Sequence, residues 1–276
     1  MATLVKTKRR INSVTSTRKI TNAMNLVAAV KLKRFKNTMS NGDNYVSYIR
    51  LVMEELYSQI DKFSLSKNTS NKTLFIVINS NLGLCGSFNN DVFKYVEPLI
   101  KKDDELITIG LKGFTHFKNL NYNINSSYMD LNVKVNFDDI NKFSEFVMNE
   151  FKLNKYKEIK LVYTEYVNSI SFVPILITLL PLEVETKKEN LLPPETLPDP
   201  ITLYEELTPV YLSASIYQAI VTSQVSEQAS RRNAMENATD NADDILEKLK
   251  LEYNKARQGA ITQEITEVVS GAKNLE

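Results

Sequence analysis

The stretch AMENATDNADDILEKLKLEYNKA, residues 234–256, has no proline or glycine and repeats apolar residues at steps of three and four. Met235, Ala238, Ala242, Ile245, Leu249 and Ala256 form the stripe; Glu252 interrupts it, and Tyr253 beside it partly fills the gap. This is the seam of a coiled coil, and its alanines let a partner helix approach closely. A single amphipathic helix lying on a core gives a similar stripe, but length separates the two readings. Residues 210–276 contain no proline. At about 1.5 Å per residue, roughly 60 residues make a rod of roughly 90 Å, longer than a globular domain needs. Thr208-Pro209 supplies a start signal, a cap candidate followed by proline at the first helical position.

The partner lies at the other end of the chain. No proline precedes Pro98, and Gly42 is the only glycine in residues 1–60. Ile11, Val14, Ile20, Ala23, Met24, Val27 and Val30, and later Ile49, Val52, Met53 and Leu56, follow a helical pattern. Residues 1–42 hold ten Lys and Arg and no acid, whereas residues 209–276 carry ten acids against seven bases. Apolar stripes and opposite charges together predict an antiparallel two-helix coiled coil made by the chain's two ends. Taken alone, the basic segment also fits a transit peptide or a basic helix for nucleic acid.

Between the ends the pattern changes. Residues 73–80 read as a strand, 88–102 as a helix, 105–110 as a strand, 138–152 as a helix, and 157–166 and 170–180 as strands. Strands alternating with helices of this length imply an α/β layer with a largely parallel sheet. The domain boundaries that follow are a helix over 1–60, an α/β domain over 73–182, a Pro-rich connector over 183–208 and a helix over 209–276. No apolar run approaches the ~20 residues of a membrane span, so direct insertion is not expected.

The candidates for chemistry are few. The turn NLGLCGS, residues 81–87, follows an apolar strand and precedes a helix, the order in which backbone amides hold phosphate. It lacks the lysine of a P-loop, and its glycines do not form G-x-G-x-x-G. Cys85, the only cysteine, excludes an internal disulfide and reads as a small packed residue rather than a nucleophile. His116, the only histidine, has no cysteine or carboxylate pair near it in sequence. No catalytic residue, cofactor site or metal site is assigned. The densest set of directional polar groups is Arg231, Arg232, Arg257, Gln258, Thr262, Gln263 and Glu264, for which a solvated helix face is the ordinary account.

Three motifs in order, RKITNAMNLVAAVK at 18–31, NLGLCGSFN at 81–89 and SRRNAMENATDNADD with YNKARQGAITQEITEVVSGA at 230–272, resemble the gamma subunit of the rotary F-type ATP synthase. The resemblance spans essentially the whole chain. It implies an antiparallel coiled coil with an inserted Rossmann-like α/β domain, the architecture reached above from periodicity. It implies a non-catalytic rotor shaft, one copy per ring of three alpha and three beta subunits, linked to an epsilon subunit and a membrane c-ring. By the same resemblance the basic N-terminus belongs to the shaft and is not a presequence. The complex is then expected peripherally on the cytoplasmic face of a bacterial membrane.

Carried over residue by residue, the rotor–stator contacts fall on Met24, Arg231, Arg257, Gln258, Thr262 and Glu264, and Gly83, Leu84, Cys85 and Gly86 form a contact turn at the foot. The tip, residues 268–275, is expected in an apolar sleeve. Asn81 stands where the family usually has an acid, and the connector at 186–202 matches nothing in the pattern. Two other readings remain at this stage: the shaft of an F1-like ATPase that drives another machine, and a basic coiled coil for nucleic acid, which the acidic partner helix opposes. A nucleotide-binding enzyme built on residues 73–102 is a further alternative, and it requires the chain to bind ATP alone.

Overall fold

Five strands form one sheet in the order β3-β2-β1-β4-β5, where β1 is Thr73–Ile78, β2 Glu105–Ile109, β3 Ile124–Ser127, β4 Glu158–Tyr166 and β5 Phe172–Leu180. The computed structural model describes residues 2–60, 68–128, 131, 136–182 and 196–273. The first four strands are mutually parallel and β5 is antiparallel to β4, a doubly wound arrangement with an antiparallel edge. Strands β1 and β2, TLFIVI and ELITI, are mostly apolar runs because both faces are covered. On one face Leu74, Ile76, Ile78, Ile107, Ile109, Ile159 and Leu161 pack on helix α4 (Phe137–Lys152), through Ile140, Phe143 and Val147, and on Leu212, Ile216 and Ile220 of helix α5 (Pro200–Lys273). On the other, Phe75, Val77, Leu106 and Val162 meet Val92, Phe93 and Val96 of α2 (Phe88–Val96) and Phe117 of α3 (Leu111–Asn119). Each such buried side chain contributes about 1.5–3 kcal/mol.

Helix α3 and strand β3 are absent from the sequence reading, and each has a local reason. Gly113 stands inside α3 and lowers its helical signal, but a Cβ there would meet Asn79 Oδ1 at 2.4 Å, so close packing on β1 requires the glycine. Strand β3 is short and polar, INSS, and becomes a strand by pairing with β2. The helix read over 88–102 stops at Val96 and passes into a 3-10 turn, Glu97–Leu99, around Pro98.

Helix α1 (Ala2–Gln59) and α5 each contribute to two compact units: Met1–Ala28 with Arg232–Glu276, and Ala29–Arg231. In the first unit the helices are antiparallel, since Arg18 pairs with Asp243 and Thr21 Oγ1 meets Thr239 Oγ1 at 2.8 Å. The seam holds Thr21, Ala28, Met235, Ala242, Leu246 and Leu249, all buried, with Ile11, Val14, Met24, Tyr253 and Ala256 half-buried. Ile245, placed in the seam from sequence, is 44% exposed, and Leu246 takes its position at 7%. Steps of four, three, four and three from Ala242 through 246, 249, 253 and 256 hold one face toward the partner, and residue 245 falls at its edge. On α1, Ile20, Ala23 and Val27 turn outward.

The paired positions sum to 260 or 261, so the start of α1 at Ala2 comes opposite about residue 259. Among the described residues α5 therefore continues alone to Lys273, an overhang of roughly 21 Å. Ile261, Ile265 and Val268 stay 47–72% exposed along it.

In the second unit, Met53, Leu56 and Ile60 of α1 pack on Leu182, Tyr204 and Tyr211, and Leu32 packs on Val225 and Ala229. Helix α5 begins at Pro200, earlier than Pro209. Asp199 accepts hydrogen bonds from the Thr202 amide (3.2 Å) and hydroxyl (2.9 Å), so the cap-then-proline signal works nine residues upstream. Pro209 lies inside the helix, and the neighbouring Thr208 hydroxyl donates to Tyr204 O at 2.7 Å.

Candidate functional site

The turn after β1 is built from the inside out. Ser80 is fully buried, its amide donates to Asn89 Oδ1 (3.0 Å) and its hydroxyl to Leu82 O (2.7 Å). Asn89, in the first turn of α2, returns its Nδ2 to Ser80 Oγ at 2.7 Å and to Cys85 Sγ at 3.3 Å. Gly86 has φ 59°, the left-handed conformation glycine adopts without cost, and Leu84 shares it at φ 61°. Asn81 Oδ1 accepts from the amide of Leu111 at 2.8 Å, so this amide side chain in place of an acid serves the start of α3.

The polarity of the turn answers the phosphate question. A phosphate loop offers amides to an anion. Here two carbonyls, Leu82 O and Gly83 O, accept from Nη2 of Arg231 at 3.1 and 3.2 Å, so the turn faces a cation supplied by its own chain. Ser230 Oγ donates to Cys85 O at 2.6 Å. Arg231 Nη1 donates to Glu227 Oε1 at 2.6 Å, with the two side chains only 8% and 10% exposed. Burial pushes the Glu227 carboxyl above its usual range, and Arg231 and Lys31 pull against that shift. Burial likewise raises the Cys85 thiol, which keeps it protonated and unreactive.

Sequence reasoning placed Arg231 among the surface groups of a rod. In the structure it is 7% exposed, occupied by Glu227 and the turn. Its partner Glu227, and Ser230 and Asn89 that brace the same turn, were not singled out; the signal for Glu227 was its i,i+4 spacing from Arg231 in SEQASRR. Arg257, Gln258, Thr262 and Glu264 are exposed within two turns at the far end of α5, and Thr262 Oγ1 donates to Gln258 O at 2.9 Å. Met24 is half-buried and lies opposite about residue 236, so the shaft separates it from the Arg257 group by roughly 30 Å. In the glycine turn Leu84 is 64% exposed and Cys85 2%, so the turn presents its leucine and hides its thiol.

Two other polar clusters are structural. His116 stacks on Phe93 with ring centroids 3.7 Å apart, and its Nε2 meets Glu97 Oε1 at 2.7 Å. At the opening end of the strands, a cleft of about 390 Å³ is lined by Ser70, Lys72, Glu105, Asn125, Glu150, Lys155 and Tyr156. Its charges are already paired: Glu105 accepts from Tyr156, Asn125 and Lys72, and Glu150 from Lys155. Burial opposes ionisation of Glu105, but those three donors outweigh it and hold the carboxyl below its usual range. Among the described residues no group of His, Cys, Asp and Glu could hold a metal ion.

Comparison with known proteins adds three findings. Residues 3–275 match the family model described as ATP synthase. Among curated relatives, the ATP synthase gamma chain of Mycoplasma mobile is 40% identical, with 99% of each chain covered, and that of Clostridium kluyveri is 38% identical over 100% of this chain and 99% of the relative. Among solved structures, a chain of the Tetrahymena thermophila mitochondrial ATP synthase central stalk and c-ring superposes with a TM-score of 0.62 at 26% identity, covering 79% of this chain and 99% of that one. A rotor chain of the Euglena gracilis mitochondrial enzyme superposes at TM-score 0.72 over 94% of this chain; at 17% identity it shares the fold.

Proposed function

The chain belongs to the ATP synthase gamma-chain family, and from that premise we propose how it works as the central-stalk rotor subunit of its complex. The carrying observation is the asymmetric two-helix shaft with its single-helix overhang, joined to membership over the full chain. The chain itself performs no catalysis. It turns inside a ring of three alpha and three beta subunits, one copy per ring, with the c-ring and an epsilon subunit at its other end. An asymmetric rod contacts three equivalent subunits differently, so each angle stabilises a different set of open and closed nucleotide sites.

Contacts that bias conformations and still break at every step suit polar groups better than a broad apolar face. Exposed Arg257, Gln258, Thr262 and Glu264 meet that need, with Met24 and its neighbouring cations contributing lower on the shaft. The overhang needs the opposite. A lone helix of this length is marginal in water, and the exposed Ile261, Ile265 and Val268 call for an apolar sleeve at the head of the ring. At the foot, Leu84 beside Gly83 and Gly86 faces the epsilon subunit and c-ring. No helix of the described residues is long and apolar enough to cross a membrane, which fits peripheral attachment, here on the cytoplasmic face of a bacterial membrane.

The test is co-expression with the alpha and beta chains of the same genome, native mass spectrometry and an MgATPase assay with and without this chain. A 3:3:1 particle whose steady turnover depends on the chain is expected. A chain that never joins the ring, or joins without altering turnover, would sink the reading.

A further inference from the structure

We propose that the Glu227–Arg231 pair is a latch that fixes the angular register of the α/β sheet on α5, and that coupling depends on it. The proposal rests on the rotor reading. It goes beyond it by making Arg231 a positioning residue within the chain rather than a group that touches the ring.

The argument begins with what surrounds α5. Residues 211–231 are buried or half-buried at every position, against the sheet, α1 and the turn. Much of this surface is small: Ser213, Ala214, Ser215, Ala219, Ser223, Ser226 and Ala229. Small side chains admit close approach but have little reach around a helix, and apolar burial is non-directional. Packing of this kind resists separation better than rolling about the helix axis. A rotor must resist rolling.

Residues 227, 230 and 231 lie on one face of α5, three and four apart, and together they grip one turn. Arg231 Nη2 reaches two carbonyls, Leu82 O and Gly83 O, while Ser230 Oγ reaches a third, Cys85 O. Glu227 holds the guanidinium from behind through Nη1. Hydrogen bonds to a buried charge are strong and directional, and a planar guanidinium fixed at both ends has little freedom to follow a rolling helix. Asn89 and Ser80 anchor the turn to α2 and the end of β1, so the grip passes into the sheet. The ion pair is otherwise expensive to bury, and well-packed apolar side chains of similar volume would hold the elements together without it. Its use here is direction.

Cys85 reports the state of the latch. It is the only thiol in the chain and lies 2% exposed beneath the turn. In the full chain, maleimide labelling of Cys85, followed by peptide mass, should be slow in the native protein and about tenfold or more faster in Arg231→Gln and Glu227→Gln. In the assembled complex in membrane vesicles, the same variants should pump fewer protons per ATP hydrolysed. Arg231→Lys, which keeps a cationic donor, should recover part of both readouts. The exchanged pair Glu227→Arg with Arg231→Glu should recover neither, because the turn carbonyls need a donor and would meet a carboxylate.

Should the charge variants fail to fold, Ser230→Ala removes one bond without stranding a charge and should show smaller shifts in the same two readouts. Faster Cys85 labelling with an unchanged proton-to-ATP ratio would overturn the proposal, as would a protected Cys85 in Arg231→Gln. A native chain that protects Cys85 but never affects turnover would instead overturn the rotor reading on which the proposal stands.

Discussion

Two stretches of one helix, residues 211–231 and 257–268 of α5, carry comparable hydroxyl, amide and charged side chains. In the first every position is buried or half-buried; in the second every position but Ala260 is exposed. Arg231 and Arg257 make the contrast concrete. Arg231 has its donors taken by Glu227 and two turn carbonyls, whereas Arg257 projects from a bare rod. Polar sequence on a helix therefore records two different settings. In one the partners lie elsewhere in the same chain; in the other the side chains face solvent or bond along their own helix. The difference is also energetic. A buried charge deprived of its partner is severely penalised, while an exposed one exchanges its protein contacts for water.

The sharpest way to break this contrast is to truncate both arginines. Arg231→Ala should cost about 3–5 kcal/mol in urea unfolding of the full chain, since it strands Glu227 and two carbonyls in the interior. Equal costs for Arg231→Ala and Arg257→Ala would erase the distinction. Next in size is the seam: Leu246→Ala should lower helix melting, followed by circular dichroism, by about 2 kcal/mol or more, and Ile245→Ala by less than about 1. The reverse order would restore the stripe drawn from sequence.

A third measurement concerns acid. Glu105 is held below its usual pKa in the fold, so its contribution is complete above the unfolded Glu value and disappears as pH falls through the folded one. Stability of the α/β unit should therefore decline on acidification from neutral pH, and Glu105→Gln should flatten that part of the profile. An unaltered profile in the variant would remove Glu105 from the account. Smallest in stability is Arg257→Ala, expected within about 0.5 kcal/mol of the native chain. Its effect should appear only in the complex, as reduced torque or ATP synthesis, and unchanged synthesis would take it out of the contact set.

Much of this could be read without coordinates, for a specific reason. A long helix free of proline shows its period locally, and a strand covered on both faces shows as an unbroken apolar run such as FIVI at 75–78. The two-helix shaft, the inserted α/β layer and most strands follow from such signals. Helix α3 was lost because Gly113 is required by Asn79, a neighbour on another element, and β3 because its pairing with β2 outweighs its composition. In the candidate site, the sequence supplied the turn and the arginines but not which arginine met which partner.

What the sequence determined by itself is thus what periodicity and backbone chemistry carry: two long helices of opposite charge, a mostly parallel sheet, and a glycine turn after its first strand. Only the tertiary structure decided that the turn offers carbonyls inward to Arg231, that Leu246 rather than Ile245 enters the seam, and that among the described residues the end of α5 lies beyond its pairing with α1. Each depends on a neighbour more than 80 residues away in the chain or on where another helix begins. A local pattern states which side chains can be buried; the elements brought against it decide which ones are.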